Sequence, residues 1–506
     1  MLNKFWKHFK SGTDIRGVAV DGVADEPLDL TDEVIFAMSA AFAKWLKETT
    51  KKDCCKVSVG HDSRISAERI KTQVIDALSK SGFQVIYCGY ASTPAMFMTT
   101  VDLECDGAVQ ITASHHPYHR NGLKFFTKNG GLEGSDIEKI LEYAQNEETE
   151  FSSVSGSVSE TDYMDSYAKR LCDMIRKEVN AENYDKPLEG YKIVVDAGNG
   201  VGGFYANNVL AVLGADVSGS QFLDPDGMFP NHIPNPENQK AMESVCEATV
   251  KANADLGIIF DTDVDRAGCV DEMGNEINRN RLVALASIIA LENNEGGTIV
   301  TDSVTSSGLK KFIEDHLGGV HYRFKRGYKN VINRQIELNN EGVNCPLAME
   351  TSGHAAFREN YYLDDGAYLV TKIVIKMAQM GKVGKKLDSL LSSLEDPAEA
   401  KEFRFKIIPE DFRAYGEKVI SDLEKYASEQ ENWSVADDNR EGIRVNFDKD
   451  NGNGWFLLRL SVHDPIMPLN IESDSIGGTE VIARQLLGFL EKYDGLDKKV
   501  IIDFLN

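Results

Sequence analysis

The sequence predicts an α/β protein with three similar mixed α/β domains in tandem and a smaller C-terminal α+β domain. Two observations support this fold class: one supersecondary pattern occurs three times, and the pattern changes near residue 400. A chain of 506 residues is also long enough for three or four domains. The predicted domains cover residues 1–155, 156–280, 281–400 and 401–506.

The repeated pattern begins at Cys55, Tyr191 and Gly297. Each copy has a β-branched strand, a polar loop, a helical period that ends at glycine, and a second strand. Repetition of such a unit indicates tandem domains. Beyond residue 400, "EFRFKII" precedes a helical stretch, and "EGIRVNF" and "GWFLLRLSV" alternate as strands before a final amphipathic helix.

Composition excludes several classes of protein. Lysine and arginine number 55 against 80 aspartate and glutamate, and the net charge of -25 argues against a nucleic-acid partner. The apolar run from Leu282 to Leu291 is too short to cross a bilayer, and the basic start "MLNKFWKHFK" lacks the apolar stretch of a secretory signal. We therefore expect a cytoplasmic protein without a membrane partner. Eight scattered cysteines without a CxxC pair predict reduced thiols, and the sequence leaves the oligomeric state open.

A cluster of acidic residues follows the apolar run Leu256 to Phe260. Asp261, Asp263 and Asp265 alternate, so an extended backbone would point all three carboxylates to one side, as a hard cation requires. Magnesium fits best, because it commonly takes a few carboxylates and shares its remaining positions with ligand phosphate. An EF-hand is disfavoured by Arg266 at the position that needs glycine, and a solvated acidic turn stays open.

A serine precedes two histidines and a lysine in "ITASHHPYHRNGLKFF". Serine is a poor nucleophile unless a base takes its proton or a metal binds its oxygen. Lys124, His115 and His116 are candidate acids and bases for Ser114, although each histidine could equally hydrogen bond the loop. A Ser-His-Asp hydrolase would need a G-x-S-x-G elbow, which is absent.

A glycine-rich stretch, "DAGNGVGG", invites a dinucleotide-binding interpretation. It lacks the full G-x-G-x-x-G phasing, so tight-turn roles for Gly198 and Gly200 are favoured instead.

Taken in order, the motifs resemble the α-D-phosphohexomutases, which include phosphoglucomutase, phosphomannomutase and phosphoglucosamine mutase. The matching stretches are "GTDIRG", "GHDSR", "TASHHP", "NGLK", "DAGNG", "PDGMFPNHIPNP", "DTDVDR", "RGYKNVI" and "ETSGH". The resemblance implies three α/β domains and a fourth around one cleft. It also implies a phosphoryl-carrying serine, bound Mg²⁺, hexose phosphates as substrates, and a hexose bisphosphate or another phosphoryl donor.

By this resemblance, each motif supplies residues with a defined role. The catalytic residues are Ser114, Lys124, His115 and Arg16. The metal ligands are Asp261, Asp263, Asp265 and the phosphate on Ser114. The substrate-binding residues are Arg266, Lys329, Glu350, Ser352 and His354. The residues that bind the substrate's distal phosphate are Arg459, Ser461 and His463.

The fourth predicted domain departs from the family pattern. The family usually has a loop like R-P-S-G-T-E-P and a second arginine three residues later, whereas this chain has "RLSVHDPIMPLNIE". Arg459 and Ser461 are kept, but Val462, His463 and Asp464 differ and Pro468 replaces the arginine. Each lost charge-assisted hydrogen bond weakens binding by roughly 1.5 to 3 kcal/mol.

Loose binding of the distal phosphate would let a bisphosphate intermediate escape. We therefore prefer a glucose-1,6-bisphosphate synthase with weakened mutase activity over an ordinary phosphoglucomutase or phosphomannomutase. A non-catalytic sugar-phosphate sensor is a third hypothesis, and a phosphatase is a fourth that no feature favours. Glucose is the expected sugar, although no residue reports the configuration at its second carbon.

Overall fold

The N-terminal part of the chain forms one large mixed sheet. The computed structural model describes residues 1–149, 151–461 and 464–506. The elements up to residue 160 are α1 (Lys4–Lys7), β1 (Lys10–Ser11), β2 (Asp14–Val18), α2 (Asp32–Thr50), β3 (Lys56–His61), α3 (Ala67–Lys80), β4 (Gln84–Tyr90), α4 (Thr93–Asp102), β5 (Gly107–Ile111), β6 (Arg120–Thr127), β7 (Gly130–Gly131), α5 (Gly134–Gln145) and β8 (Val158–Glu160).

Strand order in this sheet is β1-β2-β6-β5-β3-β4-β8, with β7 on β6. The first predicted repeat is β3, α3 and β4: β3 pairs in parallel with β4, and α3 buries Ile70, Val74 and Leu78 at helical spacing. Antiparallel β5 and β6 carry the serine motif on the loop between them.

The second region has a smaller sheet. Its elements are α6 (Tyr163–Val179), β9 (Ile193–Asp196), a π-helical turn (Tyr205–Leu210), α7 (Gln239–Ala252), β10 (Leu256–Phe260), β11 (Ala267–Asp271) and β12 (Glu276–Ile277). The strand order is β12-β11-β10-β9. The acidic motif joins antiparallel β10 and β11, so it lies in a strand connection and not in the helix-loop-helix of an EF-hand.

The second repeat is incomplete. Where it predicts a returning strand, the structure has only the isolated bridges of Asp216 with Lys192 and of Gln221 with Asp196. Gly219 lies between them with φ of +104°, which interrupts the extended backbone.

The third region contains α8 (Arg279–Leu291), β13 (Thr298–Thr301), α9 (Ser307–Lys311), β14 (Val320–Arg323), α10 (Tyr328–Asn340), β15 (Leu347–Met349), β16 (Ala355–Phe357), β17 (Leu363–Asp364) and α11 (Gly366–Gly381). Parallel strands run in the order β14-β13-β15, and β13, α9 and β14 are the strand, helix and second strand of the third repeat. Strands β16 and β17 form an antiparallel pair before α11.

The C-terminal region is an antiparallel sheet with helices on one face. Its elements are β18 (Glu399–Ile407), α12 (Phe412–Ser428), β19 (Ser434–Val435), β20 (Ile443–Phe447), β21 (Gly454–Leu458), β22 (Ile466–Ser473), α13 (Gly478–Leu490), β23 (Leu496–Asp497) and α14 (Lys499–Leu505). Strand order is β19-β20-β21-β22-β18-β23. The predicted strands and helices are present, and β23 and α14 follow the helix that the sequence predicts as the last.

Contacts divide the chain into two units. The first unit comprises residues 1–282 and 352–390, and the second comprises residues 283–351 and 391–506. In the described residues, no helix is both long and apolar enough to span a bilayer. All eight cysteines are free thiols, as their scattered positions predict.

Candidate active site

Ser114 lies in the first unit, in the loop between β5 and β6. It is 3% exposed, and its backbone is left-handed with φ of +50°, a conformation that a serine keeps only when its surroundings fix it. The buried guanidinium of Arg64 fixes it by donating hydrogen bonds to the carbonyl oxygens of Ser114, His116, Pro117 and Arg120. The conformation of the serine loop is therefore stabilised by the side chain of Arg64 through its backbone carbonyl oxygens.

The hydroxyl of Ser114 points to the acidic motif. Its Oγ lies 3.0 Å from Oδ2 of Asp261 and 3.1 Å from Nη2 of Arg266. Nδ1 of His115 lies 3.3 Å from the same oxygen and 2.6 Å from Nη2 of Arg266. Because a guanidinium only donates, Nδ1 of His115 is an acceptor and the ring is neutral.

The three aspartates of the motif form one cluster. Each offers a carboxylate oxygen within 4.8 Å of the others. The backbone is a turn in which Val264 has φ of +66°, so the cluster does not arise from the extended backbone that the alternation predicts. Lys124 Nζ donates to Oδ2 of Asp263, at 3.1 Å, and to Oδ2 of Asp265.

The charges around this cluster favour a cation. Asp263 Oδ1 and Asp265 Oδ1 are buried and accept no hydrogen bond from the described residues. Burial and the carboxylate of Asp265 raise the pKa of Asp261 well above its ordinary value. Lys124 and Arg266 contact the cluster, but the raised pKa of Asp261 indicates that they compensate its buried negative charge only in part. Orphaned carboxylate oxygens and excess negative charge fit a hard divalent ion such as Mg²⁺.

His115 and His116 of the serine loop feel the charge of Arg16. Burial, with the charges of Arg266 and Arg16, keeps the pKa of His115 far below its ordinary value. Burial and Arg16 lower the pKa of His116 to about 3. The guanidinium of Arg16 donates to Asp14 Oδ2 at 2.9 Å. These low pKa values mean that both rings are neutral and are weak bases in this environment.

A histidine–aspartate pair involves the last residue of the predicted sugar-binding motif "ETSGH". His354 Nδ1 lies 2.5 Å from Asp364 Oδ2, and its backbone forms an isolated bridge with Arg266. Burial is outweighed by the charges of Asp364 and Asp265, which raise the pKa of His354 to about 9. Ser352 is also buried in this unit. The structure therefore places His354, the last residue of the predicted sugar-binding motif, beside the acidic cluster.

The remaining predicted residues belong to the second unit. Glu350 follows β15 and accepts a hydrogen bond from Gly327 N at 2.6 Å, just before Lys329 in the first turn of α10. Arg459 follows β21, and Ser461 accepts a hydrogen bond from Asp464 N at 3.3 Å. His463 lies outside the described residues.

Sequence reasoning missed three supporting residues. Arg64 anchors the serine loop, Thr93 Oγ1 donates to Asp263 Oδ2, and Asp364 pairs with His354. The motif "GHDSR" was a signal for Arg64, since an arginine two residues after an aspartate can form a buried pair, here with Nε 3.3 Å from Asp62 Oδ2. Thr93 and Asp364 have no comparable signal in the sequence.

Family models cover most of the chain in three consecutive segments. They describe phosphoglucomutase/phosphomannomutase α/β/α domains I, II and III, and they match residues 10–151, 163–274 and 278–397. The chain belongs to this family. It is therefore an enzyme of the phosphoglucomutase/phosphomannomutase type, with three tandem α/β domains and a further C-terminal domain that contains a sheet.

Curated relatives and solved structures agree with this assignment. A phosphoglucomutase of Neisseria meningitidis is 28% identical over 485 residues, which are 96% of this chain and 96% of the relative. A phosphoglucomutase/phosphomannomutase of Thermococcus kodakarensis is 30% identical, covering 90% of this chain and 93% of the relative. A phosphoglucomutase/phosphomannomutase family structure from Burkholderia thailandensis has a TM-score of 0.80 at 26% identity, covering 98% and 99% of the two chains.

A more distant neighbour shows the fold alone. It is an N-acetylphosphoglucosamine mutase from Aspergillus fumigatus, solved with glucose 1,6-bisphosphate, and it has a TM-score of 0.52 at 13% identity over 95% of each chain.

Proposed function

We propose that this enzyme transfers a phosphoryl group between Ser114 and a hexose phosphate, with Mg²⁺ at the aspartate cluster and glucose phosphates as the expected substrates. The observation that carries the proposal is the 3.0 Å contact between Ser114 Oγ and Asp261 Oδ2, inside a buried cluster with unused carboxylate oxygens. In this reaction phosphoserine 114 gives its phosphoryl group to a sugar hydroxyl, and the resulting bisphosphate returns its other phosphate to Ser114.

The side chains around Ser114 have distinct parts in this reaction. Arg266 donates to Ser114 Oγ at 3.1 Å, so its guanidinium stabilises negative charge that develops on this oxygen when it is the leaving group. Lys124 serves as an ammonium beside the transferring group. Its bonds to Asp263 and Asp265 hold the amino group against two carboxylates, which supports a charge-stabilising role over that of a general base.

The carboxylates of Asp261, Asp263 and Asp265 would hold the divalent ion. The chemistry that Mg²⁺ would supply when held there is neutralisation of charge on the phosphoryl oxygens. Arg64 positions Ser114 through its carbonyl oxygen and thereby orients the reacting oxygen.

Labelling of Ser114 tests the proposal. Incubation with glucose 1,6-bisphosphate that carries ³²P should label the wild type on Ser114 in the presence of Mg²⁺, and should not label Ser114→Ala. The labelled protein should then convert glucose 1-phosphate to glucose 6-phosphate. Absence of label on Ser114 in a folded, Mg²⁺-loaded protein would refute the mechanism and favour a sugar-phosphate sensor.

A second candidate is net synthesis of glucose 1,6-bisphosphate. It is supported by the altered distal-phosphate motif, in which Pro468 replaces a family arginine. A synthase should accumulate free bisphosphate only when a separate phosphoryl donor is supplied. Rapid isomerisation of glucose 1-phosphate without free bisphosphate would exclude the synthase and support the mutase reaction.

A further inference from the structure

The C-terminal sheet has one polar face within the second unit. The opposite face packs its apolar residues against helices, including Phe405, Leu458 and Ile471. The register pairs Arg404 of β18 with Pro468 of β22, and Arg459 N donates to Pro468 O at 3.1 Å. Directly opposed residues share a face, so Arg404, Pro468 and Arg459 form a row across three strands on the polar face.

The two arginines of this row are two strands apart on the same face of the sheet. Neighbouring strands lie about 4.8 Å apart, which places the backbones of Arg404 and Arg459 roughly 10 Å apart across Pro468. Proline contributes no donor at the middle position, and two long arginine side chains can converge above it.

Arg459 has unused donor capacity. Its guanidinium makes no hydrogen bond to the described residues, and its Nε is fully buried. Burial lowers its pKa, the nearby Glu441 opposes this, and Arg326 adds to it. A buried N–H group without an acceptor is costly, because it has been removed from water without compensation. An oxyanion ligand would supply the acceptors.

Arg404 is oriented but largely unused. Its Nε donates to Glu402 Oε1 at 2.7 Å, and the side chain is 69% exposed. This bond uses one of five N–H donors, and in the described residues no other bond to the guanidinium occurs. The two terminal NH₂ groups keep the fork geometry that binds a phosphate through two oxygens.

Arg326 is the third cation at this place. Its charge acts on both Glu402 and Arg459, and its backbone N donates to Glu441 Oε2 at 3.2 Å. The carboxylates that face the cluster are Glu402, Glu441 and Asp302, the last 3.9 Å from Arg326 Nε. Three cations balanced by three carboxylates form a neutral set that an added phosphate dianion would make negative, so Glu402 must compete with the ligand for Arg404.

We propose that Arg404, together with Arg459 and Arg326, binds a phosphate monoester on this face, and that Arg404 supplies the cation that Pro468 cannot. This inference rests on the proposed function, because it takes the phosphate monoester to be that of a hexose phosphate. It also favours the mutase over the synthase, since a restored cation retains the bisphosphate intermediate.

The test uses the full chain carrying Ser114→Ala, so that no transfer occurs. Titration calorimetry measures the affinity of this protein for glucose 6-phosphate and for inorganic phosphate. Arg404→Gln should weaken both about tenfold, which corresponds to the low end for one charged hydrogen bond because the side chain is exposed. Lys401→Gln is the matched control. It removes the same charge from the same strand on the opposite face, and should change affinity less than about twofold. Arg404→Lys should retain only part of the wild-type affinity, since lysine lacks the paired N–H donors of the guanidinium.

Steady-state kinetics give a second readout. In the Ser114 background, Arg404→Gln should raise KM for glucose 1-phosphate about tenfold and leave single-turnover transfer at saturating substrate nearly unchanged. Equal affinities for the Arg404→Gln and Lys401→Gln variants would overturn the inference. If Ser114 takes no label while Arg404→Gln still weakens phosphate binding, the anion site stands and the proposed reaction fails.

Discussion

Replacing Asp263 with asparagine should abolish the part of the protein's thermal stability that depends on Mg²⁺. The Oδ1 atom of Asp263 is buried and unpartnered in the described residues, while Oδ2 accepts from Lys124 and Thr93. Asparagine can keep its carbonyl oxygen toward Lys124, and its NH₂ group then replaces the unused lone pairs. The cluster loses one negative charge together with the oxygen available to a cation.

The expected magnitude follows from linkage. Mg²⁺ at one hundred times its dissociation constant stabilises the native state by about 2.7 kcal/mol. The first unit has roughly 320 residues, and an unfolding entropy of about 2.1 cal/mol/K per residue converts this energy into a rise of about 4 °C in melting temperature. In the Asp263→Asn variant, Mg²⁺ should raise the melting temperature by less than about 1 °C.

Differential scanning calorimetry with and without saturating Mg²⁺ measures this effect. Asp53→Asn is the matched control, because Asp53 is an exposed carboxylate of the same unit, and its Mg²⁺-dependent rise should equal that of the wild type. Equal rises in Asp263→Asn and the wild type would refute the assignment of the cation to this cluster.

Three further predictions concern buried polar groups of the first unit. In Arg64→Lys, the lysine cannot reach all four carbonyl oxygens of the serine loop. Losing two charged hydrogen bonds should lower the free energy of unfolding by about 3 to 6 kcal/mol, and labelling of Ser114 should slow at temperatures where the protein is folded. An unchanged melting temperature would contradict the anchoring role of Arg64. Lys124→Met should slow single-turnover transfer about 10² to 10³-fold and enlarge the Mg²⁺-dependent rise in melting temperature, because two carboxylates lose their ammonium; a smaller rise would count against this. Burial raises the pKa of Asp365 to about 6, above its unfolded value, so its contribution to stability is present below pH 4 and lost as pH rises through 6. Tyr167→Phe removes a donor 2.7 Å from that carboxylate, so the variant should be destabilised more at pH 8 than at pH 5 in urea titrations, and an equal loss at both would contradict it.

Much of the fold could be predicted from local pattern. The strand and helix of the first repeat follow from β-branched residues at β3 and from Ile70, Val74 and Leu78 at helical spacing. The second repeat failed at its last strand, because Gly219 adopts a positive φ between two isolated bridges. Periodicity cannot reveal such a break, since glycine is compatible with both strand and turn.

The candidate site was predicted as a set of motifs, and its internal geometry was not. Sequence order could indicate that Ser114 and the aspartates belong to one site, but the left-handed φ of Val264 decides how the carboxylates cluster. Thr93 contacts Asp263, although the two residues are 170 positions apart in the sequence. Contacts of this kind depend on tertiary structure, which local propensity does not encode. The polar row of Arg404 and Arg459 likewise requires the strand register of β18, β21 and β22.

In the proposed reaction, cation binding and the covalent state of Ser114 would be interdependent, because the Ser114 hydroxyl donates to Asp261 Oδ2. Esterification removes the hydroxyl proton, so Asp261 loses a donor and acquires a dianion as its neighbour. A divalent ion relieves that repulsion, so it should bind the phosphorylated chain more tightly than the unmodified one. Thermodynamic reciprocity then requires the ion to stabilise the phosphorylated form by the same free energy.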